Sequence, residues 1–151
     1  MTWCSVCGTK TNKRIPPEDT KLRDVCPSCL TIHYINPTII AGTIPIYQDK
    51  VLLCKRGIEP QKDMWTLPAG FMELNETLEN AALRETLEEA NATITIDRLF
   101  SVYSAVSVGQ VHMTYLAHLQ NLDFSAGHET LDVKLTPISE INFDELSFNS
   151  V

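Results

Sequence analysis

Residues 70–92 read GFMELNETLENAALRETLEEANA, and the second half of that stretch predicts a helix, with Thr77 as its N-cap and Asn91 at its end. At about 100° per residue, Leu83, Thr86, Leu87 and Ala90 fall on one side that faces a core, and Glu85, Glu88 and Glu89 share the opposite side. Those carboxylates occupy the last turns, where the helix dipole disfavours negative charge, and Arg84 is the one local compensation. Taken alone, such a run also fits a solvated surface. It becomes a site if a hard divalent cation, held through oxygen ligands, neutralises it.

A chain of 151 residues supports one ordinary domain with a small appendage. It contains no apolar run long enough to span a bilayer, and its N-terminus lacks a signal-peptide pattern, so the expected location is cytoplasmic. Of its five cysteines, four form the pairs Cys4-x2-Cys7 and Cys26-x2-Cys29. Eighteen residues separate the pairs, the spacing of a four-thiolate zinc site, with a redox pair or an iron site of the same geometry as the other readings. Four protein ligands close such a site and make it structural. Gly8, Pro16, Pro17 and Pro27 punctuate a stretch too poor in apolar residues to fold without a staple. Cys54, in the run Val51-Leu52-Leu53-Cys54, reads as a buried free thiol. His33, His112, His118 and His128 have no spacing that suggests a metal triad.

Charge divides at the same place. Residues 1–36 carry a formal +2 and residues 37–151 carry −9, which together give −7. An acidic body repels bare polyanions, so nucleic acid is not the expected partner, and a phosphate-bearing substrate needs metal ions to bridge it to the carboxylates.

After Asn36-Pro37, Thr38 to Tyr47 and Val51 to Lys55 read as two strands joined by Gln48-Asp49-Lys50. Pro45 marks an interruption or an edge position in the first. Residues 57–63, GIEPQKD, form a loop leading to Met64-Trp65-Thr66-Leu67-Pro68-Ala69-Gly70. Trp65 either packs in a core or lines a substrate site. Arg56 is either a surface charge or a phosphate partner at a strand end. Thr93 to Val108, Val111 to Leu119 and Leu131 to Leu135 read as further strands, with a turn at Gly109-Gln110.

The order Gly70, five residues, Glu76, seven residues, Arg84-Glu85-Thr86-Leu87-Glu88-Glu89 resembles the Nudix box, G-x5-E-x7-R-E-U-x-E-E-x-G-U with U aliphatic. Thr86 replaces an aliphatic residue, Asn91 replaces the last glycine, and Ala92 is a weak match to the final aliphatic position. Asn91 tolerates the left-handed turn. Trp65-Thr66-Leu67-Pro68-Ala69-Gly70 is similar to the W-x-L-P-G-G that commonly precedes the box, with Ala69 as the departure. The resemblance implies an α/β fold, a Nudix α/β/α sandwich with a mixed sheet (residues 37–151), preceded by a small zinc ribbon (residues 1–36). The two C-x2-C pairs, Ile32-His33-Tyr34-Ile35-Asn36-Pro37 and the tryptophan motif resemble the branch acting on FAD and ADP-ribose. The S-Q-P-W-type tail of NADH diphosphatases is absent, as is the proline of many ADP-ribose enzymes, where Ser107 and Val108 stand. Relatives usually end in another helix; here the sequence stops soon after Phe143-Asp144-Glu145-Leu146, which leaves a sheet flank for a second copy to cover, so a homodimer is expected.

By that resemblance, Glu85, Glu88, Glu89 and the Gly70 carbonyl hold Mg²⁺ or Mn²⁺, and Arg84 pairs with Glu76 to fix the loop to the helix. Glu129, in Ala126-Gly127-His128-Glu129, is the candidate extra metal ligand or base, with Asp132 in reserve and a solvated loop acid as the plain alternative. Glu88 or Glu129 takes the proton of the attacking water. The implied reaction is hydrolysis of a nucleoside diphosphate linked to another moiety, of the ADP-ribose, FAD or NADH type, releasing a nucleoside monophosphate. Two other classes stand beside it: a sensor that binds such a nucleotide without cleaving it, and a binding module whose ribbon contacts nucleic acid. The weak charge of the ribbon and its lack of an aromatic and basic stripe disfavour the last.

Overall fold

Each cysteine pair is followed by the same tight turn. Gly8 N–H donates to the Cys4 carbonyl at 2.9 Å and Leu30 N–H to the Cys26 carbonyl at 3.1 Å, and both Gly8 and Leu30 adopt positive φ, 71° and 63°. Glycine takes that conformation freely and leucine does not, so the second turn is held by its surroundings. These turns flank a three-stranded antiparallel sheet of β1 (Asn12–Arg14), β2 (Arg23–Val25) and β3 (Ile32–His33). The computed structural model describes residues 3–147, and the chain forms two compact units, Met1–Asn36 and Pro37–Val151.

The second unit is built on a mixed sheet. Its strands are β4 (Thr38–Tyr47), β5 (Lys50–Arg56), β6 (Trp65–Thr66), β7 (Ala69–Phe71), β8 (Ile94–Ala105), β9 (Gln110–Leu119) and β10 (Thr130–Pro137). The sheet runs β10-β5-β4-β9-β8, with β6 on β5 and β7 on β4. The β4–β9 pair is parallel and the others are antiparallel. Pro45 lies in a central strand, at an interruption: β4 pairs with β7 as far as Gly42 and with β5 only from Ile46. The missing proline N–H costs least in such a gap.

Helix α1 (Leu78–Ala90) begins as its sequence predicts, with the Thr77 hydroxyl accepting from Asn80 N–H at 3.2 Å. It ends at Asn91, which is left-handed at φ 47°. Its buried side differs from the one that periodicity suggests. Ala81, Ala82, Thr86 and Ala90 are buried, Leu83 is half-buried, and Leu87 is 54% exposed. The core stripe is therefore turned toward the alanines, whose small side chains let the helix lie close on the sheet. This turn also separates the three carboxylates, bringing Glu85 and Glu89 to the margin of the core and leaving Glu88 outside.

Two packed clusters hold α1 to the sheet. Leu52, Cys54, Ala90, Ala92, Ile94, Ala117 and Leu119 form one. Ala41, Ala81, Ala82 and Tyr115 form the other. Cys54 is a buried free thiol, as its apolar run implies. Among the described residues α1 is the one α-helix; residues 106–108, 138–140 and 143–145 form short 3-10 turns.

Candidate functional site

The four paired cysteines converge. Their sulfur atoms all lie within 4.8 Å of one another, with Cys4 and Cys29 Sγ at 3.6 Å and Cys7 and Cys26 Sγ at 3.4 Å. A tetrahedral zinc with Zn–S near 2.3 Å places its sulfurs about 3.8 Å apart, so the quartet fits that ion. The hydrogen bond with Thr9 holds the Cys7 thiol down to about 6, which favours the thiolate that binds metal. Among the described residues no other group of three or more His, Cys, Asp or Glu side chains converges so tightly.

The carboxylates of α1 are arranged differently, because Arg84 reaches across them. Its Nη2 donates to Glu76 Oε1 at 2.7 Å and to the Phe71 carbonyl at 3.0 Å. Its Nη1 donates to Glu85 at 2.6 Å and to Glu88 at 3.2 Å. The bond from Arg84 pulls the Glu76 carboxyl below its ordinary range. The Glu88 side chain remains 58% exposed. Glu85 lies so close to Gly70 that a Cβ there would overlap its carboxylate, which explains the glycine by space. Burial raises the Glu85 carboxyl.

Glu89 points elsewhere. It accepts from Ala69 N–H at 3.3 Å and lines a cavity of about 20 Å³ with Cys54, Arg56, Ile58, Thr66, Glu129 and Thr130. That is the room needed by one water or one bare cation. Burial, with the Glu85 and Glu129 charges adding to it, pushes the Glu89 carboxyl up to about 7. A half-buried acid that shares a cavity with a second one offers hard oxygen ligands of the kind a divalent cation takes. No basic residue in the last turn of α1 offsets this charge.

Glu89, Glu129 and Arg56 thus meet around one cavity. Arg56 sits at the end of β5, and its Nε donates to the Pro60 carbonyl at 2.9 Å. Trp65 is not among them. Side chains alternate across a strand, and Cys54 pairs with Thr66 while Lys55 pairs with Trp65, so Thr66 faces the cavity and Trp65 faces the other side of the sheet. There the Lys134 ammonium lies 4.0 Å from the Trp65 ring centroid. Asp132 is exposed and does not line the cavity. Cys54, Thr66 and Thr130 line it although nothing in the sequence marks them for a site; the alternation of β5, which puts Cys54 and Arg56 on one face, is the signal that finds the first.

Residues 37–149 match the Nudix domain family, and residues 2–35 match the Nudix N-terminal zinc-ribbon family. The chain belongs to the Nudix family. A crystal structure of a Nudix hydrolase from Nitrosomonas europaea is 51% identical and covers 100% of this chain and 86% of that one, with a TM-score of 0.97. An ADP-ribose pyrophosphatase from Methanocaldococcus jannaschii is 38% identical over 72 residues, 48% of this chain and 43% of that protein. The NAD-capped RNA hydrolase NudC of Vibrio vulnificus is 30% identical over 129 residues, 84% of this chain and 45% of that protein. The chain spans less than half the length of these two relatives.

Three of the departures from the Nudix pattern have a local physical account. The Thr86 hydroxyl donates to the Ala82 carbonyl at 2.8 Å and meets the Thr43 hydroxyl at 2.7 Å, so the polar atom that replaces an aliphatic group is satisfied although both threonines are 0% exposed. Ala69 pairs with Gly42 across β7 and β4. A Cβ on Gly42 would fall 2.5 Å from that of Ala69, so the glycine makes room for the methyl. Asn91 supplies the left-handed residue that ends the helix.

Proposed function

We propose that this Nudix protein hydrolyses the diphosphate bond of a nucleoside diphosphate linked to another moiety, of the ADP-ribose, FAD or NADH type, and releases a nucleoside monophosphate. The observation that carries this reading is the meeting of Glu89 and Glu129 across one small cavity in a Nudix domain. Glu85, Glu88, Glu89 and the Gly70 carbonyl would hold Mg²⁺ or Mn²⁺, which supplies charge to offset the phosphate oxygens and eases deprotonation of a water. Glu88 joins that set by leaving Arg84, a bond of 3.2 Å to a largely exposed carboxylate. Glu129 is favoured over Glu88 as the proton acceptor because it lines the cavity while Glu88 is drawn toward the guanidinium. Arg56, beside the same cavity, binds a substrate phosphate. Arg84 and Glu76 fix the loop to the helix, and the cysteine quartet holds structural zinc.

Trp65 takes no part at the diphosphate in this reading, because its ring lies on the other side of the sheet under Lys134. The 38% identity to an ADP-ribose pyrophosphatase supports the small-nucleotide class. The match to an NAD-capped RNA hydrolase, which spans 84% of this chain, favours one second reading, in which the same diphosphate sits at the end of an RNA. A second copy is the proposed protein partner, supported by edge strand β8, where Leu99, Phe100, Val102 and Tyr103 are all exposed. Among the described residues no helix is long and apolar enough to cross a membrane, and a cytoplasmic location is proposed with the rest.

Incubating the protein with Mg²⁺ and ADP-ribose, FAD, NADH or NAD-capped RNA, and measuring nucleoside monophosphate, tests this reading. Glu89→Gln is expected to abolish most of the turnover while the fold is retained, because it removes a ligand of the ion that eases deprotonation of the water. Normal turnover in that variant, or binding without product in the wild type, would overturn it, the latter in favour of a sensor.

A further inference from the structure

The residue that replaces the last glycine of the box does more than end the helix. Asn91 Nδ2 donates to the Ser125 carbonyl and the Ser125 hydroxyl, each at 3.2 Å, and to the Ala126 carbonyl at 3.3 Å. One primary amide has two hydrogens, so the three acceptors share them. Two backbone bonds run the other way, from Ser125 N–H to the Ala90 carbonyl and from Gly127 N–H to the Glu89 carbonyl, both at 2.9 Å. These satisfy terminal carbonyls that the helix itself leaves open. Gly127 must be glycine here, since a Cβ would collide with the Glu88 carbonyl.

The far end of the same loop is tied to the sheet. Gly57 N–H donates to the Glu129 carbonyl at 2.8 Å, and Thr130 N–H to the Gly127 carbonyl at 3.2 Å. Phe124 packs against the cluster that contains Ala90 and Ala92. The loop therefore spans from the last turn of α1 to the end of β5, and Glu129 emerges from it into the cavity that Glu89 lines.

We infer that Asn91 is a positioning residue whose amide clamps residues 125–126 to the end of α1 and so holds Glu129 across the cavity from Glu89. The inference rests on the role proposed above for Glu129. A glycine at this position permits the left-handed turn but has no amide to bind the loop. The substitution thus exchanges backbone freedom for a second fastening, and the helix end and the loop move together.

Four proteins test it: wild type, Asn91→Gly, Glu129→Gln and the double variant. Asn91→Gly keeps the left-handed turn and removes the clamp. It is expected to lower kcat about tenfold with KM unchanged, the size of effect that a small misplacement of a reacting group produces. The double variant is expected to match Glu129→Gln, and the Gly127 amide is expected to exchange faster in Asn91→Gly. Unchanged kcat, or losses that multiply in the double variant, would overturn the inference, as would a lower Tm with no change in kcat. If Asn91→Gly does not fold, Asn91→Asp, which keeps the left-handed preference and lacks the donor, takes its place with the same expectations. If the wild type turns over none of the substrates, the proposed function fails and the clamp is tested separately by amide hydrogen exchange of wild type and Asn91→Gly at Gly127. Faster exchange in Asn91→Gly then supports it, and unchanged exchange overturns it.

Discussion

The cysteine sulfurs stand together within 4.8 Å, placed by two turns with matching hydrogen bonds, whereas the carboxylates of α1 are divided. Glu89 is turned into a cavity, Glu85 lies against Gly70, and Glu88 is drawn to Arg84. A site whose ligands the backbone assembles serves as a staple, and one whose ligands are dispersed is completed by what binds. Four thiolates can stand so close when a zinc ion closes their coordination, while a catalytic centre has to admit water and substrate.

The strongest way to break this contrast is to remove the staple. Chelation, or Cys26→Ser, is expected to unfold residues 1–36, because zinc binding on the order of 10 kcal/mol is the folding energy of such a unit. Zinc content and the amide spectrum of the ribbon would report it, and a folded ribbon without metal would end the distinction.

A smaller effect sharpens the other side. Burial raises the Glu89 carboxyl from an ordinary 4.5 to about 7. A group raised in the folded state contributes stability below its ordinary range and loses it as pH rises through the folded value. Metal-free protein is therefore expected to lose stability between about pH 4.5 and 7, and Glu89→Gln to be more stable than wild type by several degrees at about pH 8 but not at about pH 4. Thermal melts across that range check the sign. Added Mg²⁺ should narrow the difference, since a ligand that binds the folded state stabilises it.

The smallest effect concerns the seating of the helix. Thr86→Val leaves the Thr43 hydroxyl buried without the partner it has in the wild type, with an expected loss of about 1–3 kcal/mol. The Thr43→Val, Thr86→Val double variant should recover most of it, because removing both partners leaves no polar group stranded. Denaturant titration of the single and double variants would show whether the pair is coupled.

Much of this is legible in the chain. Thr77 and Asn91 bracket α1 because capping chemistry is local, and the cysteine spacing gives the quartet because two tight turns need no tertiary information. The phase of the helix is not legible, since alanines carry little hydrophobic contrast and Leu87 outweighs Ala81 and Ala82 in any periodicity. Nor is the direction of Trp65, because a two-residue strand shows no alternation of its own and its face is fixed only by pairing with β5. The meeting of Glu89 with Glu129 depends on a loop folding back on the helix end, a contact across sequence that no local pattern encodes.

The Gly42 and Ala69 pair has a consequence for how this sequence can drift. A methyl at position 42 would meet the Pro68 carbonyl oxygen at 2.8 Å as well as the Ala69 methyl at 2.5 Å, so shortening residue 69 to glycine would relieve only one of the two collisions. Position 69 can therefore alternate between alanine and glycine, while position 42 is held to glycine by the main chain of the strand beside it.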